Sequence, residues 1–181
     1  MSTELRKTQS HGRIGEAAVT AKCWMNGIPA HNANGLRANF AGSDIIIDTD
    51  DPRSKRLVQV KAGYSPTKEL VYLTQSTGVG DLTEDKFRAD FVVFVNIDKK
   101  AGESHRHLGT LGFEHLSYYV VPVEQANQIF REAVQREYDR PLLRKEGRRS
   151  LANMAVNVPP AAMSMYRDAW HLLRGEAPSD A

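Results

Sequence analysis

The sequence predicts an α/β domain built on a mixed central sheet of about four or five strands, with helices on its faces. Three observations carry that expectation. Short runs of β-branched and aromatic residues recur between clusters of Gly, Pro, Asp and Ser. A helical stretch precedes the first of these runs, and an amphipathic one follows the last. One run, Asp90 to Ile97 (D-F-V-V-F-V-N-I), is apolar almost throughout, as a strand buried on both faces near the sheet centre must be.

Taken in order, residues 1–11 present no core face and read as a frayed tail or the first turn of a helix. The first helix is expected from Gly12 to Asn26, with a buried stripe of Ile14, Ala18, Ala21 and Met25; Glu16 lies nearly opposite that stripe, flanked by Val19 and Cys23. Gly27 supplies the stop and Pro29 prevents continuation. Residues 30–43 read as a loop with room for a short strand, in which His31 and Arg37 are candidates to approach a phosphate. Ile45-Ile46-Ile47, a turn at Asp48 to Pro52, and Leu57-Val58-Gln59-Val60-Lys61 then read as two strands of a hairpin. A third strand is expected over 70–74, and Gly78-Val79-Gly80 reads as a connection because no G-K-[ST] follows it. After the strand at 90–97 come a polar turn and a last strand over 118–123, with Pro122 at its end or at a sheet edge. From Glu124, the spacing of Ala126, Ile129, Phe130, Ala133 and Val134 predicts a helix covering one face of the sheet.

From Tyr138 the character changes. Arg140, Arg144, Lys145, Arg148 and Arg149 crowd five cations into ten residues, either as a solvated linker or as a contact to a nucleic-acid backbone, which rewards charge without requiring a particular sequence. A final helix is expected to start at Val158-Pro159-Pro160, with Ala162, Met165, Ala169, Leu172 and Leu173 as its buried stripe and Tyr166 and Trp170 widening it; 175–181 read as a tail. The division that follows is a core over 1–137, then a basic linker and a helix packing on that core over 138–181.

The chain has 181 residues, 41% hydrophobic and 25% charged, enough to bury a core without disulfides. Its net charge of +2 excludes a polycation, so any nucleic-acid contact depends on local basic patches. The one cysteine, Cys23, excludes an intramolecular disulfide and a multi-cysteine zinc site, and reads as a buried structural thiol. No apolar run is long enough to span a membrane and no signal-like segment follows Met1, so a cytoplasmic protein is expected.

The chemistry concentrates on the hairpin. Side chains alternate across a strand, so Leu57, Gln59 and Lys61 share one face and Val58 and Val60 the other. A hairpin turn between the strands brings Asp44 to the end where Gln59 and Lys61 project. A carboxylate, an amide oxygen and an ammonium together suit phosphodiester hydrolysis. Hard cations such as magnesium take oxygen ligands, and a lysine beside them orients water or stabilises an anionic transition state.

Asp44 followed by Gln59-Val60-Lys61 resembles the PD-(D/E)XK nuclease signature, with Gln in place of the usual acid. Upstream, Gly12-Arg13-Ile14-Gly15-Glu16 resembles the G-x-x-G-E segment of restriction-endonuclease-like and Holliday-junction-resolvase-like members. The resemblance extends over residues 10–125 as an order of elements, with motif identity only at these positions. It implies a restriction-endonuclease-like fold, Glu16, Asp44 and Gln59 as ligands of Mg2+ or Mn2+, Lys61 as the catalytic lysine, and DNA as substrate. Some homing endonucleases of this superfamily carry the same Gln-x-Lys variant. Gln brings one charge fewer to a cation than Glu does, so two readings stay open: a metal-dependent DNA endonuclease, or a catalytically decayed relative that binds nucleic acid or a protein partner. One site per chain would call for a homodimer to cut both strands together.

Overall fold

The computed structural model describes residues 3–33, 42–51, 53–65, 71–74, 85–98, 113–139 and 155–174. Its centre is a five-stranded mixed sheet. β2 (Ile45–Asp48) pairs antiparallel with β1 (Ala30–Asn32) on one side and with β3 (Lys55–Ser65) on the other; β5 (Phe91–Asp98) pairs parallel to β3, and β6 (Leu116–Pro122) antiparallel to β5, giving the order β1-β2-β3-β5-β6. β4 (Val71–Thr74) stands outside it, in a two-stranded sheet with β7 (Ala155–Val158). The expected hairpin and the buried strand after Asp90 are therefore present, and the sheet is mixed with five strands. Its membership differs from expectation: the short strand at 30–32 joins the sheet and the one at 71–74 leaves it.

Helix α1 (Thr3–Met25) packs on one face of the sheet, with Ala18, Val19 and Cys23 buried against Ile45, Ile47, Val58, Val60, Val93 and Val95. The buried stripe is thus Gly15, Ala18, Val19 and Cys23, while Ile14 and Met25 are exposed. The expected stripe was rotated toward the solvent side, because the two large side chains that defined it flank the contact and a glycine makes it. A Cβ on Gly15 would lie 2.4 Å from the Ala62 Cβ and 3.3 Å from a Val60 methyl, so helix and strand touch backbone to side chain with no space between. The helix ends as its sequence requires. Gly27 has φ +71°, its N–H donates to the Trp24 carbonyl at 3.0 Å, and the Ile28 N–H donates to the Cys23 carbonyl at 2.9 Å, the paired bonds of a Schellman stop. Cys23 is buried as expected, and burial pushes its thiol up to about 12.

The other face is covered by helix α2 (Val123–Asp139), whose Ala126, Phe130, Ala133 and Val134 meet Val92, Phe94, Tyr119 and Val121 of the sheet and Val156 and Val158 of β7. The last part of the chain departs from the expected single helix. Residues 155–158 are a strand, and extended Pro159 leads into a 3-10 helix, η1 (Pro160–Tyr166). A proline disfavours helical geometry in the residue before it, which is why the dipeptide Pro159-Pro160 closes a strand before opening a turn of helix. The chain then crosses the β6 edge: Arg167 bridges to Tyr119, the Asp168 N–H donates to the Tyr118 carbonyl at 3.0 Å, and Asp168 takes φ +51° at the crossing. Beyond it, Ala169, Trp170 and Leu173, the last on the four-residue helix α3 (His171–Arg174), pack on the α1 face, Trp170 against Tyr118 at 5.4 Å between ring centroids. Met163 is buried on the α2 side and Met165 is exposed, because the break at 167–168 resets the helical phase. Arg56 holds the end in place, donating to the Leu172 and Leu173 carbonyls at 3.0 and 2.7 Å.

Two glycines of α1 give a direct test of the close approach. Gly15→Ala is expected to cost about 1–3 kcal/mol in urea unfolding, as overpacking does. Gly12→Ala, where a Cβ meets nothing within 4 Å, is expected to be neutral or stabilising by up to about 1 kcal/mol.

Candidate functional site

The site is built where β2 ends and β3 continues. Ile45 faces Val58 and Ile46 faces Leu57, so one further step sets Asp44 opposite Gln59. The Asp44 N–H still donates to the Val58 carbonyl at 2.9 Å, but there the ladder stops. The Val60 N–H, which a longer β2 would engage through its backbone, donates instead to Asp44 Oδ2 at 2.8 Å. Gly42, two residues before Asp44, has φ +77°. The Asp44 carboxylate therefore caps the strand with one oxygen, and Lys61 lies on β3 beyond Ile45, the first residue of β2.

Alternation then assigns faces. Val58 and Val60 belong to the α1 side of the core, so Gln59 and Lys61 project from the other side, next to Val92 and Phe94 in the β3–β5 register. Asp44, Gln59 and Lys61 are brought to one face at one end of the hairpin. Gln59 Oε1 is buried without a hydrogen-bond partner, as is the hydroxyl of Ser43 beside Asp44. An unpartnered buried carbonyl oxygen costs on the order of 1–3 kcal/mol unless something donates to it or coordinates it.

Glu16 reaches the same end of the sheet from the helix side. The close contact at Gly15 sets the next residue over the β1–β2 end, where Glu16 Oε2 accepts a hydrogen bond from Asn32 Nδ2 at 3.2 Å. Asn32 pairs with Ile45, and the Ala33 N–H donates to the Asp44 carbonyl at 2.9 Å, so one short strand links Glu16 to Asp44. Each of the three oxygen-bearing side chains is half-buried, and the donor set is two carboxylates and one amide.

His31 is drawn elsewhere. Its Nε2 lies 2.8 Å from Asp48 Oδ2, at the far end of β2 from Asp44. Lys55 pairs with the same carboxylate, and Lys55 first and His31 second hold the Asp48 carboxyl below its ordinary value. Arg37, Arg140, Arg144, Lys145, Arg148 and Arg149, as well as Gly78 to Gly80, lie outside the described residues.

Sequence reasoning missed Asn32 and Lys86. Asn32 sits in a segment with no periodicity to mark it. Lys86 precedes β5 in a stretch that reads as connection, yet it is half-buried, and burial first and the charge of Lys61 second lower its ammonium below the ordinary lysine value. Only the folded chain brings the two lysines together. Among the described residues no helix is long and apolar enough to cross a membrane.

In structural comparison the chain is similar to a bacterial homing endonuclease, I-Ssp6803I, with 18% identity over 97% of this chain and 95% of that one and a TM-score of 0.45. No protein-family model matches the sequence. No curated protein matches it.

The two causes acting on Lys86 are separable. In Lys61→Gln, the Lys86 titration followed by NMR is expected to move up toward the ordinary lysine value but to stop short of it, because burial remains. The sign for stability follows: a lysine whose folded pKa is lowered makes folding more favourable as pH rises from that value toward 10.5, and Lys61→Gln narrows that window.

Proposed function

We propose that this protein is a metal-dependent endonuclease that hydrolyses phosphodiester bonds of DNA, using a PD-(D/E)XK-type site of the Gln-x-Lys variant. The observation that carries the reading is the end of the β2–β3 hairpin, where Asp44, Gln59 and Lys61 share one face and the Gln59 side-chain oxygen is buried without a partner. Such an oxygen fits a ligand of a hard cation, and so do the carboxylates of Asp44 and Glu16, each with one oxygen already engaged by Val60 N–H or Asn32. These three residues would hold Mg2+ or Mn2+. When bound, such a cation acidifies a coordinated water and offsets charge on the phosphate.

The chain's own groups do the rest. The Val60 N–H orients the Asp44 carboxylate, and Asn32 orients that of Glu16, so neither has to be ordered when substrate arrives. Lys61 directs its ammonium toward the phosphate, where it stabilises the negative charge that develops as water adds to phosphorus. The P–O bond to the leaving oxygen breaks, a proton from water ends on that oxygen, and the products are a phosphate monoester and an alcohol.

Purified protein incubated with supercoiled plasmid and with a branched DNA is expected to cut in magnesium or manganese and not in EDTA. Lys61→Ala is expected to keep the fold, judged by circular dichroism and unfolding midpoint, and to lose about a hundredfold or more in rate. Cleavage unchanged in that variant would overturn the assignment. No cutting by the folded wild type, with salt-sensitive DNA binding that EDTA leaves intact, would instead establish a decayed site, in which Gln59 has lost the charge that a cation needs.

A further inference from the structure

Lys86 is positioned by packing independent of its own charge. Its neighbour Phe87 is buried edge-on against both Phe94 and Phe130, each at 5.7 Å between ring centroids. Asn127, buried on α2, accepts from the Phe87 N–H at 2.9 Å and donates to the Phe87 carbonyl at 3.0 Å. At the other end of the same segment, the Asp90 N–H donates to the Leu57 carbonyl at 2.9 Å and Asp90 Oδ2 accepts from the Leu57 N–H at 2.7 Å. The backbone of residues 87–90 is thus tied to α2 and to β3.

Phe94, against which Phe87 packs, stands beside Lys61 in the β3–β5 register. The Phe87–Phe94 contact therefore sets the backbone at Lys86 on the side of the sheet from which Lys61 and Gln59 project. That Lys61 lowers the Lys86 ammonium agrees with this placement. Lys61 and Lys86 are like charges on one side of the sheet, and an anion with several oxygens can accept from both.

We propose that Lys86 joins Lys61 in binding a phosphate of the DNA backbone, so that the face carrying Asp44 and Gln59 holds a two-lysine phosphate site. This rests on the nuclease reading above. Lys61 acts at the phosphate that reacts, and Lys86 binds and positions the backbone.

The test is Lys86→Gln and Lys86→Arg in the full chain, with affinity for a short fluorescently labelled duplex measured in EDTA across a salt series, alongside plasmid cleavage in magnesium. Lys86→Gln is expected to bind roughly tenfold more weakly, with a slope of log affinity against log salt shallower by about one, the loss of one phosphate contact. Cleavage by this variant is expected to show a raised KM with kcat little changed. Lys86→Arg, which restores the charge, is expected to recover most of the affinity and the salt slope. A purely structural role would lower the unfolding midpoint of Lys86→Gln and leave the salt slope unchanged, and that result overturns the site. Unchanged affinity, slope and KM in Lys86→Gln, with cleavage that Lys61→Ala abolishes, overturns the phosphate site and leaves the nuclease reading standing. Wild type that neither binds nor cuts DNA in magnesium or EDTA overturns both.

Discussion

Helix α1 lies against strand β3 at Gly15 with no room for a side chain between them. Much of the described molecule follows from that contact. It seats Ala18, Val19 and Cys23 on Ile45, Val58 and Val60, which closes one face of the sheet. It also fixes where the residue after the glycine can reach, which is the end of β1 and β2 occupied by Asn32. A single close approach thus determines both the packing of the helix and the position of Glu16. Core and candidate site cannot be adjusted independently, because sliding the helix to relieve one would displace the other.

Strand β3 carries the second half of the arrangement. On one face it contributes valines to the α1 core, and on the other Gln59 and Lys61 to the candidate site. A polar face on an interior strand is affordable only where the neighbouring strand stops. β2 stops at Asp44, and the carboxylate takes over the backbone donor that the missing residues would have satisfied. The strand end is therefore the place where the sheet stays hydrogen-bonded while leaving an opening, and it holds Asp44 rigidly by the same bond that closes the ladder.

Much of this was legible because it depends on neighbours in sequence. Alternation in Leu57 to Lys61 announced which side chains would share a face, and the turn at Asp48 to Pro52 announced that Asp44 would return to them. The Gly27 stop was legible for the same reason. The α1 stripe was misread because hydrophobicity favours Ile14 and Met25, whereas the contact is made by the smallest residue, whose missing side chain lets the helix backbone meet the strand. β7 was missed because Ala155 to Val158 is four residues long and followed by two prolines, and what makes it a strand is the distant partner β4. Lys86 had no local signature at all: its place depends on Phe94, Phe130, Asn127 and Leu57, all remote in sequence.

The neutral Gln59 acquires a physical rationale in this setting. A glutamate at the same point would add a third half-buried carboxylate to those of Glu16 and Asp44. Before any ligand binds, burying an uncompensated charge costs several kcal/mol, whereas burying an unpaired amide oxygen costs on the order of 1–3. Glutamine offers an oxygen from the same strand position at the lower cost. On the proposed reading, glutamine would hold a cation with one charge fewer than glutamate. On the same reading, a larger share of a bound phosphate's charge would fall to the lysines than beside a third acid.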